Sequence, residues 1–404
     1  MVSGLLMELD DHNCWTIAEA VGHRGPHRLQ HLLSRAVWDD QDVVDIAAAW
    51  AARHLDDGDA VLIVDETADE KSSAGAAGAA RQYSGTVGGI ALCQMAVTLT
   101  YATGRGHALI GRALYLPEAC AADDEHRELA GVPEEVMFAS KPQLAGALLE
   151  RAQSLGIRAA FVAGDEVYGG RQLRRGIRQR GMGYVMAVRA NHTLITGSGR
   201  TVTAAAATGM IPAHAWHRMR TGSGTKGTRH YDWAMLEVTS DDTPDGDDGH
   251  SVLLTRRHRY TGTLSFYRCW TPDPVPLSRL IAIAVSRWRI EEDHQLAKQS
   301  TGLDAGQVIR WKSWHRWTAL YLLAYSYLAV AAALQRQHEA GSDLDAGLIP
   351  ITVPELLRLL RDTVIPPPRR DRAHRLHWSD WRRRHQHRAR QAHQRWNAYA
   401  ETAP

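Results

Sequence analysis

Cysteine is scarce in this 404-residue chain, and its four copies, Cys14, Cys93, Cys120 and Cys269, form no Cys-x-x-Cys pair. Such scattered cysteines argue against a disulfide framework and against a structural zinc site, and they are typical of a protein from a reducing cytoplasm. The N-terminus also lacks a basic start followed by an apolar run. We therefore expect no signal peptide and a cytoplasmic protein.

Long apolar runs are absent as well. The longest, residues 320–334, has 15 residues and includes Ser326, whereas a membrane-spanning helix needs roughly 18 or more. We therefore predict a buried helix at this position and no association with a membrane. The sequence contains neither a Gly-x-x-x-x-Gly-Lys-Ser/Thr motif nor a Gly-x-Ser-x-Gly motif, so we expect no nucleotide cofactor and no acyl-transfer chemistry.

The charge is small in sum but uneven along the chain. The formal net charge is +2, yet residues 366–396 contain ten arginines, five histidines and only two aspartates. A segment of this kind suits a polyanionic partner. The alternative is an arginine-rich helix that only faces solvent.

The order of sequence patterns predicts an α/β chain in five parts. Residues 1–57 are helical, and two short helices separated at Gly22 and Gly25 resemble a helix–turn–helix, with a plain helical hairpin as the equal alternative. Residues 58–189 contain five apolar strands and interspersed helices, which predicts a mixed sheet flanked by helices. Residues 190–276 predict a β-rich insertion with an acidic surface loop at 241–248. Residues 277–340 predict long helices, and residues 341–404 a segment that ends in the basic tail, which we expect to be helical.

Two acids follow apolar strands. Asp65 comes after the run Leu-Ile-Val, and Asp165 comes after Phe-Val-Ala-Gly. Strand ends place side chains at the rim of a sheet, where ligands usually bind. A turn or a helix cap is the alternative role for each of these aspartates.

A third acid is predicted to lie on a helix between two cations. Arg287, Glu291 and Lys298 are four and seven residues apart, which puts them on one helix face and turns Glu292 about 100° away. A solvated salt-bridge helix has the same spacing. Together with Asp65 and Asp165, however, Glu291 completes a set of three carboxylates. Oxygen-only ligands suit two Mg²⁺ or Mn²⁺ ions, which can activate a nucleophile and stabilise the leaving oxygen during in-line attack on phosphorus.

These residues give the chain a resemblance to a known family. Over roughly residues 15–395 it is similar to the DDE transposases of bacterial insertion sequences, in the branch whose last acid lies in a Tyr–Arg–Glu–Lys signature. The segments that carry the resemblance are VDET, ARQYSGT, ALYLPE, SKPQLA, GDEVYGG, GYVMAVRANH, KGTRHYDWA and RWRIEEDHQLAKQSTGLD, with the arginine-rich tail.

The resemblance implies an RNase H-like core with a β-strand insertion before the last catalytic helix. It also implies Mg²⁺-dependent cleavage of double-stranded DNA at the terminal inverted repeats and joining to target DNA, by a homodimer associated with the nucleoid. Asp65, Asp165 and Glu291 match the three acids, and Arg287 and Lys298 match the signature's basic residues. We further expect DNA binding by a set of basic side chains outside the signature: Lys71, Arg382, Arg383, Arg384 and Arg388.

Three features depart from the family's pattern. Ala284 stands at the signature's Tyr position, Ala68-Asp69-Glu70 replaces a basic loop after the first acid, and the helical segment at the N-terminus is short. A decayed or repurposed transposase that binds DNA without cutting it is therefore one alternative function. A structure-specific nuclease that uses the same acids is another.

Overall fold

The computed structural model describes the backbone of residues 1–85, 88–224, 227–243, 249–341 and 348–402, and their side chains except those of 223–224, 227–228 and 398–402. The helices are α1 Val2–Leu6, α2 Cys14–Ala20, α3 His27–Ser34, α4 Asp40–Leu55, α5 Glu118–Ala121, α6 Asp124–Ala130, α7 Lys141–Ser154, α8 Arg171–Gln179, α9 Ala204–Gly209, α10 Leu277–Ser286, α11 Trp288–Thr301, α12 Trp311–Ala340, α13 Val353–Thr363 and α14 Arg372–Thr402. The strands are β1 Val61–Glu70, β2 Ala80–Ser84, β3 Gly89–Ala102, β4 His107–Tyr115, β5 Phe161–Gly164, β6 Gly183–Val188, β7 Thr193–Thr196, β8 Thr201–Thr203, β9 His217–Gly224, β10 Gly227–Thr239, β11 His250–Arg257 and β12 Leu264–Thr271.

Five strands form the centre of the fold in the order β4–β3–β1–β5–β6. The first three are antiparallel neighbours, and β1, β5 and β6 are parallel to one another. The apolar runs of β1 and β5 are buried, as strands covered by helices on both faces should be. This mixed sheet flanked by helices confirms the predicted α/β class and is consistent with an RNase H-like fold. The short strand β2, which pairs with the first half of β3, was not expected from the sequence.

The β-rich segment that follows β6 continues the same sheet. Strand β12 pairs antiparallel with β6, and β11 and β10 follow in order. The predicted acidic surface loop is wrong at its start, because Asp241 and Asp242 form ion pairs with arginines, among them the buried Arg174 and Arg268. These pairs fix the end of β10 against α8 and β12. Residues 244–248 of the predicted loop lie outside the described part of the chain.

The long helix α12 crosses the centre of the protein. By length and composition it is the one helix among the described residues that could span a membrane, but 78% of its most apolar stretch is buried inside the protein. It packs on α4 and on β4. The prediction of a buried helix over residues 320–334 is therefore confirmed.

Helices α10 and α11 meet at Arg287, whose φ of −51° and ψ of −35° are helical. The chain thus stays nearly continuous through the segment that carries Arg287 and Glu291. Helix α11 ends at Gly302, which has a φ of +71°. Glycine adopts this left-handed conformation without the steric cost that a Cβ brings.

Candidate active site

The register of the sheet brings Asp65 and Asp165 together. In the parallel pair β1–β5, Val64 is opposite Gly164, so the next residue on each chain is one of the two aspartates. The sequence-based expectation that both acids end a strand was wrong for Asp65, because β1 continues to Glu70 while β5 stops at Gly164. Asp65 therefore lies inside a strand but level with the end of its shorter neighbour.

Burial raises the pKa of both aspartates, and the charges of nearby acids add to the effect. Burial, followed by the charge of Asp165, raises the pKa of Asp65 to about 7, although Arg287 acts in the opposite direction. Burial also raises the pKa of Asp165, against a hydrogen bond from the Val167 amide. A nearby cation stabilises the ionised form of two adjacent carboxyl groups in a buried environment. The pair therefore has the electrostatic character of a cation-binding site.

Glu291 faces this pair from α11, and Arg287 lies between them. One guanidinium nitrogen of Arg287 donates to Glu291 Oε1 at 2.6 Å, and the other is 3.3 Å from Asp65 Oδ2. The neighbouring Glu292 points elsewhere and approaches His107 at 3.4 Å. The predicted separation of the two glutamates is thus observed.

The three acids line one cavity of about 970 Å³, whose wall is formed by β1, β2, the residues after β5, and α11. No three His, Cys, Asp or Glu side chains in the described ranges are grouped closely enough to hold a metal ion. The donors are nevertheless the oxygen ligands that Mg²⁺ and Mn²⁺ prefer. The chemistry of the three donors suits such ions, but the donors are not gathered into one metal-binding group, since the Arg287 guanidinium is bonded to both Asp65 and Glu291.

Lys298 lies on the wall of this cavity, but its ammonium group already has partners within the protein. Its ammonium donates to the Ala68 carbonyl oxygen at 3.0 Å and is 3.6 Å from Asp69 Oδ1. The acidic loop expected at Ala68-Asp69-Glu70 is therefore wrong: these residues continue β1, and Asp69 is buried as the counter-charge of Lys298. A DNA phosphate would have to compete with Asp69 for this lysine.

Lys71 is also placed differently from the expectation of a DNA-binding residue. Its side chain is buried, and its ammonium donates to the Gly306 carbonyl oxygen at 2.6 Å. Burial lowers its pKa, with Asp69 acting in the opposite direction. The ammonium is thus turned into the protein, where it ties the end of β1 to the loop after α11.

Sequence reasoning missed a fourth acid at the site. Glu66 lies next to Asp65 in the cavity wall, but it accepts hydrogen bonds from Lys141 at 2.7 Å and from the Tyr168 hydroxyl at 2.6 Å. These contacts join β1 to the start of α7 and to the segment after Asp165. Glu66 therefore fixes the two strands that carry Asp65 and Asp165, and the adjacency of two acids in Val-Asp-Glu-Thr was the available signal.

A buried network below the cavity was also missed. The carboxylate of Asp293 accepts from the Thr100 and Tyr325 hydroxyls and lies 2.7 Å from His107 Nδ1. These bonds attach α11 to β3, β4 and α12. They fix the helix two residues beyond Glu291.

His294, the residue after Asp293, is connected to the backbone of Asp65 through Thr98. The Thr98 hydroxyl donates to the Asp65 carbonyl oxygen at 3.2 Å and lies 2.8 Å from His294 Nε2. Because the hydroxyl has only one proton, His294 must donate from Nε2. Burial lowers the pKa of His294 to about 4, so the ring is neutral and this tautomer is held.

The four tail arginines that were expected to bind DNA lie on α14, away from the lining of the cavity. Arg382 pairs with Glu19, and Arg383 is 3.7 Å from Asp380. Arg384 and Arg388 are exposed. The tail is therefore a helix, as expected, and the structure gives Arg382 a partner within the protein.

Comparison with known proteins identifies the family of the chain. The family described as DDE superfamily endonuclease matches residues 1–225, which is more than half of the chain. The chain belongs to this family. The matched region contains Asp65 and Asp165, whereas Glu291 lies beyond it.

A curated relative extends the comparison. The chain is 26% identical over 193 residues to a protein of Microchaete diplosiphon described as a probable transposase for insertion sequence element IS701. The aligned part covers 47% of this chain and 47% of that relative, so the chain spans about half the length of the relative it matches. These two findings confirm the resemblance to DDE transposases of insertion sequences.

Proposed function

We propose that this protein is a DDE transposase that cleaves double-stranded DNA at the ends of an insertion sequence and joins them to target DNA. The observation that carries the proposal is the adjacent placement of Asp65 and Asp165 on neighbouring strands, with Glu291 facing them across one cavity. Family membership and the similarity to a probable transposase support the same chemistry.

In this proposal Asp65, Asp165 and Glu291 hold two Mg²⁺ or Mn²⁺ ions. When bound, such ions activate the attacking oxygen and stabilise the leaving oxygen of the DNA phosphodiester. The protein's own contribution would be to present the three carboxylates on elements that are tied together by hydrogen bonds. Strands β1 and β5 are held by Glu66, and α11 is held by Asp293.

Arg287 has two roles in the proposed reaction. In the structure its guanidinium neutralises Asp65 and Glu291, which would otherwise repel each other. Once it no longer pairs with Asp65 and Glu291, this guanidinium would be free to bind a phosphate of the DNA strand at the site, as arginine does in bidentate fashion. Lys298 stays against Asp69 and fixes the last turns of α11.

The remaining parts of the proposal follow from the substrate. Residues 1–57 and the tail would bind the terminal inverted repeats and target DNA, while residues 58–189 and 277–340 form the catalytic core and residues 190–276 the insertion. Since two element ends must be paired, the active form would be a homodimer on DNA. The protein would act in the cytoplasm at the nucleoid.

The test is a matched pair of glutamine variants on α11. Glu291→Gln removes a proposed ligand, whereas Glu292→Gln changes the adjacent acid, which faces His107 instead. We expect Glu291→Gln to lower Mg²⁺-dependent nicking of DNA carrying the element's terminal repeats by at least about a hundredfold and to leave DNA binding unchanged. The Glu292→Gln variant should still nick the DNA.

The same assay separates the alternatives. Nicking by Glu291→Gln at the wild-type rate would show that Glu291 is not a catalytic acid. Binding without nicking by the wild-type protein would favour a decayed or repurposed transposase. Cleavage of branched DNA without strand transfer would favour a structure-specific nuclease.

A further inference from the structure

The two ends of the chain pack against each other. His374, Trp378, Trp381 and His385 recur at spacings of four, three and four residues, so they lie on one face of α14. His374 and Trp378 are buried. His374 Nε2 lies 2.8 Å from the carbonyl oxygen of Glu19, and the Trp378 indole donates to the carbonyl oxygen of His23, three residues beyond α2, at 2.9 Å. This face of α14 is therefore docked on α2 and on the turn that follows it.

Trp381 continues the contact to the start of α3. Its ring makes a T-shaped contact with the ring of Trp15 at a centroid distance of 4.8 Å, and another with the ring of His27 at 5.9 Å. A Cβ on Gly25, in the turn before α3, would lie 3.4 Å from the Trp381 indole nitrogen. On α14 itself, Trp381 stacks on His385. The helix–turn–helix-like pair and the tail thus form a three-helix unit.

The start of α3 presents basic side chains beside this contact. Arg24, His27, Arg28 and His31 are all exposed. In helix–turn–helix proteins the first residues of the second helix enter the DNA groove. The exposed side chains of α3 are therefore at the position from which such a helix contacts DNA, and α14 passes next to them at Trp381.

Beyond His385, α14 leaves the rest of the protein. Side chains from Gln386 to Asn397 are exposed apart from the half-buried Ala389, over roughly 18 Å of helix. Arg388 and Arg395 follow Trp381 at intervals of seven residues, so they continue the face that is docked on α2 and α3. Among the described side chains these two arginines have no ion-pair partner. The docked face changes from tryptophan and histidine to arginine where it projects past the N-terminal helices.

We propose that α2, α3 and α14 form a single unit that binds one DNA duplex, with the start of α3 in a groove and the projecting arginines of α14 on the adjoining phosphates. The choice of DNA as the partner rests on the proposed function. The contacts of Trp378 and Trp381 hold the two basic surfaces in a fixed relation, which lowers the entropy cost of engaging both together. Phosphate contacts of this kind supply affinity with little sequence information.

The first test removes charge from the projecting part of the full-length protein. The probe is a fluorescein-labelled 30-base-pair duplex of random sequence, titrated by anisotropy at about 50 to 200 mM NaCl. We expect the double variant Arg388→Gln/Arg395→Gln to reduce the slope of log affinity against log salt by about 2, because each phosphate contact contributes about 0.9. The control variant Arg158→Gln/Arg175→Gln removes two exposed arginines elsewhere and should leave the slope unchanged. An unchanged slope in the first variant would overturn the proposal.

The second test loosens the docking and keeps every charge. Trp381→Ala should lower the affinity for the same duplex by on the order of tenfold, because the projecting helix is no longer held in place. Trypsin should also cut α14 sooner than in the wild-type protein. Trp381→Phe keeps an aromatic contact and should bind like the wild-type protein. Unfolding curves confirm that both variants are folded. Wild-type affinity in Trp381→Ala would show that the tail acts as an independent segment, and the proposal would fail.

These outcomes are independent of the proposed chemistry. If the wild-type protein binds the duplex through this unit but never nicks it, the transposase proposal fails and the binding unit stands. If nicking depends on Glu291 while the arginine and tryptophan variants bind normally, the transposase proposal stands and the binding unit fails.

Discussion

His107 is expected to make the stability of the fold depend on pH. Its side chain is 19% exposed and lies between the buried Asp293 and the exposed Glu292. Burial alone would lower its pKa, but the two carboxylates outweigh burial and raise the pKa from 6.5 to about 9. A difference of this size corresponds to about 3 kcal/mol of stability.

The sign follows from the raised pKa. The stabilisation is present in full below pH 6.5, where the ring is charged in both the folded and the unfolded chain, and it is lost as the pH rises through about 9. The variant to compare is His107→Gln, which keeps a donor for Asp293 but has no charge. We expect the wild-type protein to exceed His107→Gln in unfolding free energy by about 3 kcal/mol more at pH 6 than at pH 10.

Urea unfolding followed by circular dichroism measures this difference. Other groups titrate equally in both proteins. The quantity to compare is therefore the change, between pH 6 and pH 10, in the gap in unfolding free energy between wild type and His107→Gln. The control is His31→Gln at an exposed position, which should alter stability little at either pH. A gap between wild type and His107→Gln that is the same at pH 6 and pH 10 would refute the assignment of a charged His107.

Three further substitutions test the packing around the site, each by urea unfolding. Trp233→Ala should cost about 3 to 5 kcal/mol, since the side chain is fully buried in the core; a loss below about 1 kcal/mol would contradict that placement. Gly302→Ala should cost about 2 kcal/mol more than the matched Gly58→Ala. Both glycines have positive φ, but a Cβ at Gly302 meets His12 at 2.8 Å while one at Gly58 meets open space; equal losses would show that the close contact relaxes freely. Asp69→Asn should cost about 3 kcal/mol by leaving Lys298 without its counter-charge, and an unchanged stability would mean that Lys298 finds another partner.

Local signals in the sequence predicted several elements well. The sequence predicts a helix from Lys141-Pro142 to about Ser154, and α7 has these bounds, because a Ser140–Gln143 capping box and an early proline mark its start. The apolar run from Gly183 to Val188 likewise predicts a strand, and β6 has these bounds. The start of α7 depends on residues close in the chain, whereas β6 is indicated by its own apolar run although its hydrogen bonds are to β5 and β12.

Elements that depend on distant partners were predicted less well. The resemblance predicts an acidic loop at Ala68-Asp69-Glu70 in place of the family's basic loop, yet Asp69 is buried against Lys298 from α11. Lys71 is expected to bind DNA, yet it is bonded to Gly306. A buried charge is stable only beside its partner, and the sequence does not show which residue more than two hundred positions away will be that partner.

The candidate site also combines a local feature that the sequence predicts with a long-range feature that it does not. The helix face shared by Arg287 and Glu291 follows from their spacing, and the structure contains the predicted pair. The adjacency of Asp65 and Asp165 depends on the register between two parallel strands. The sequence fixes neither that register nor the placement of α11 opposite it.

The docking of α14 on the first helices also determines when this part of the protein can be completed. Trp378 covers backbone between α2 and α3, so those helices leave the ribosome without the side chain that will cover them. This surface is completed only after α14 has been synthesised. A polypeptide that stops before residue 372 is expected to contain Asp65, Asp165 and Glu291 and yet to present an unfinished N-terminal surface.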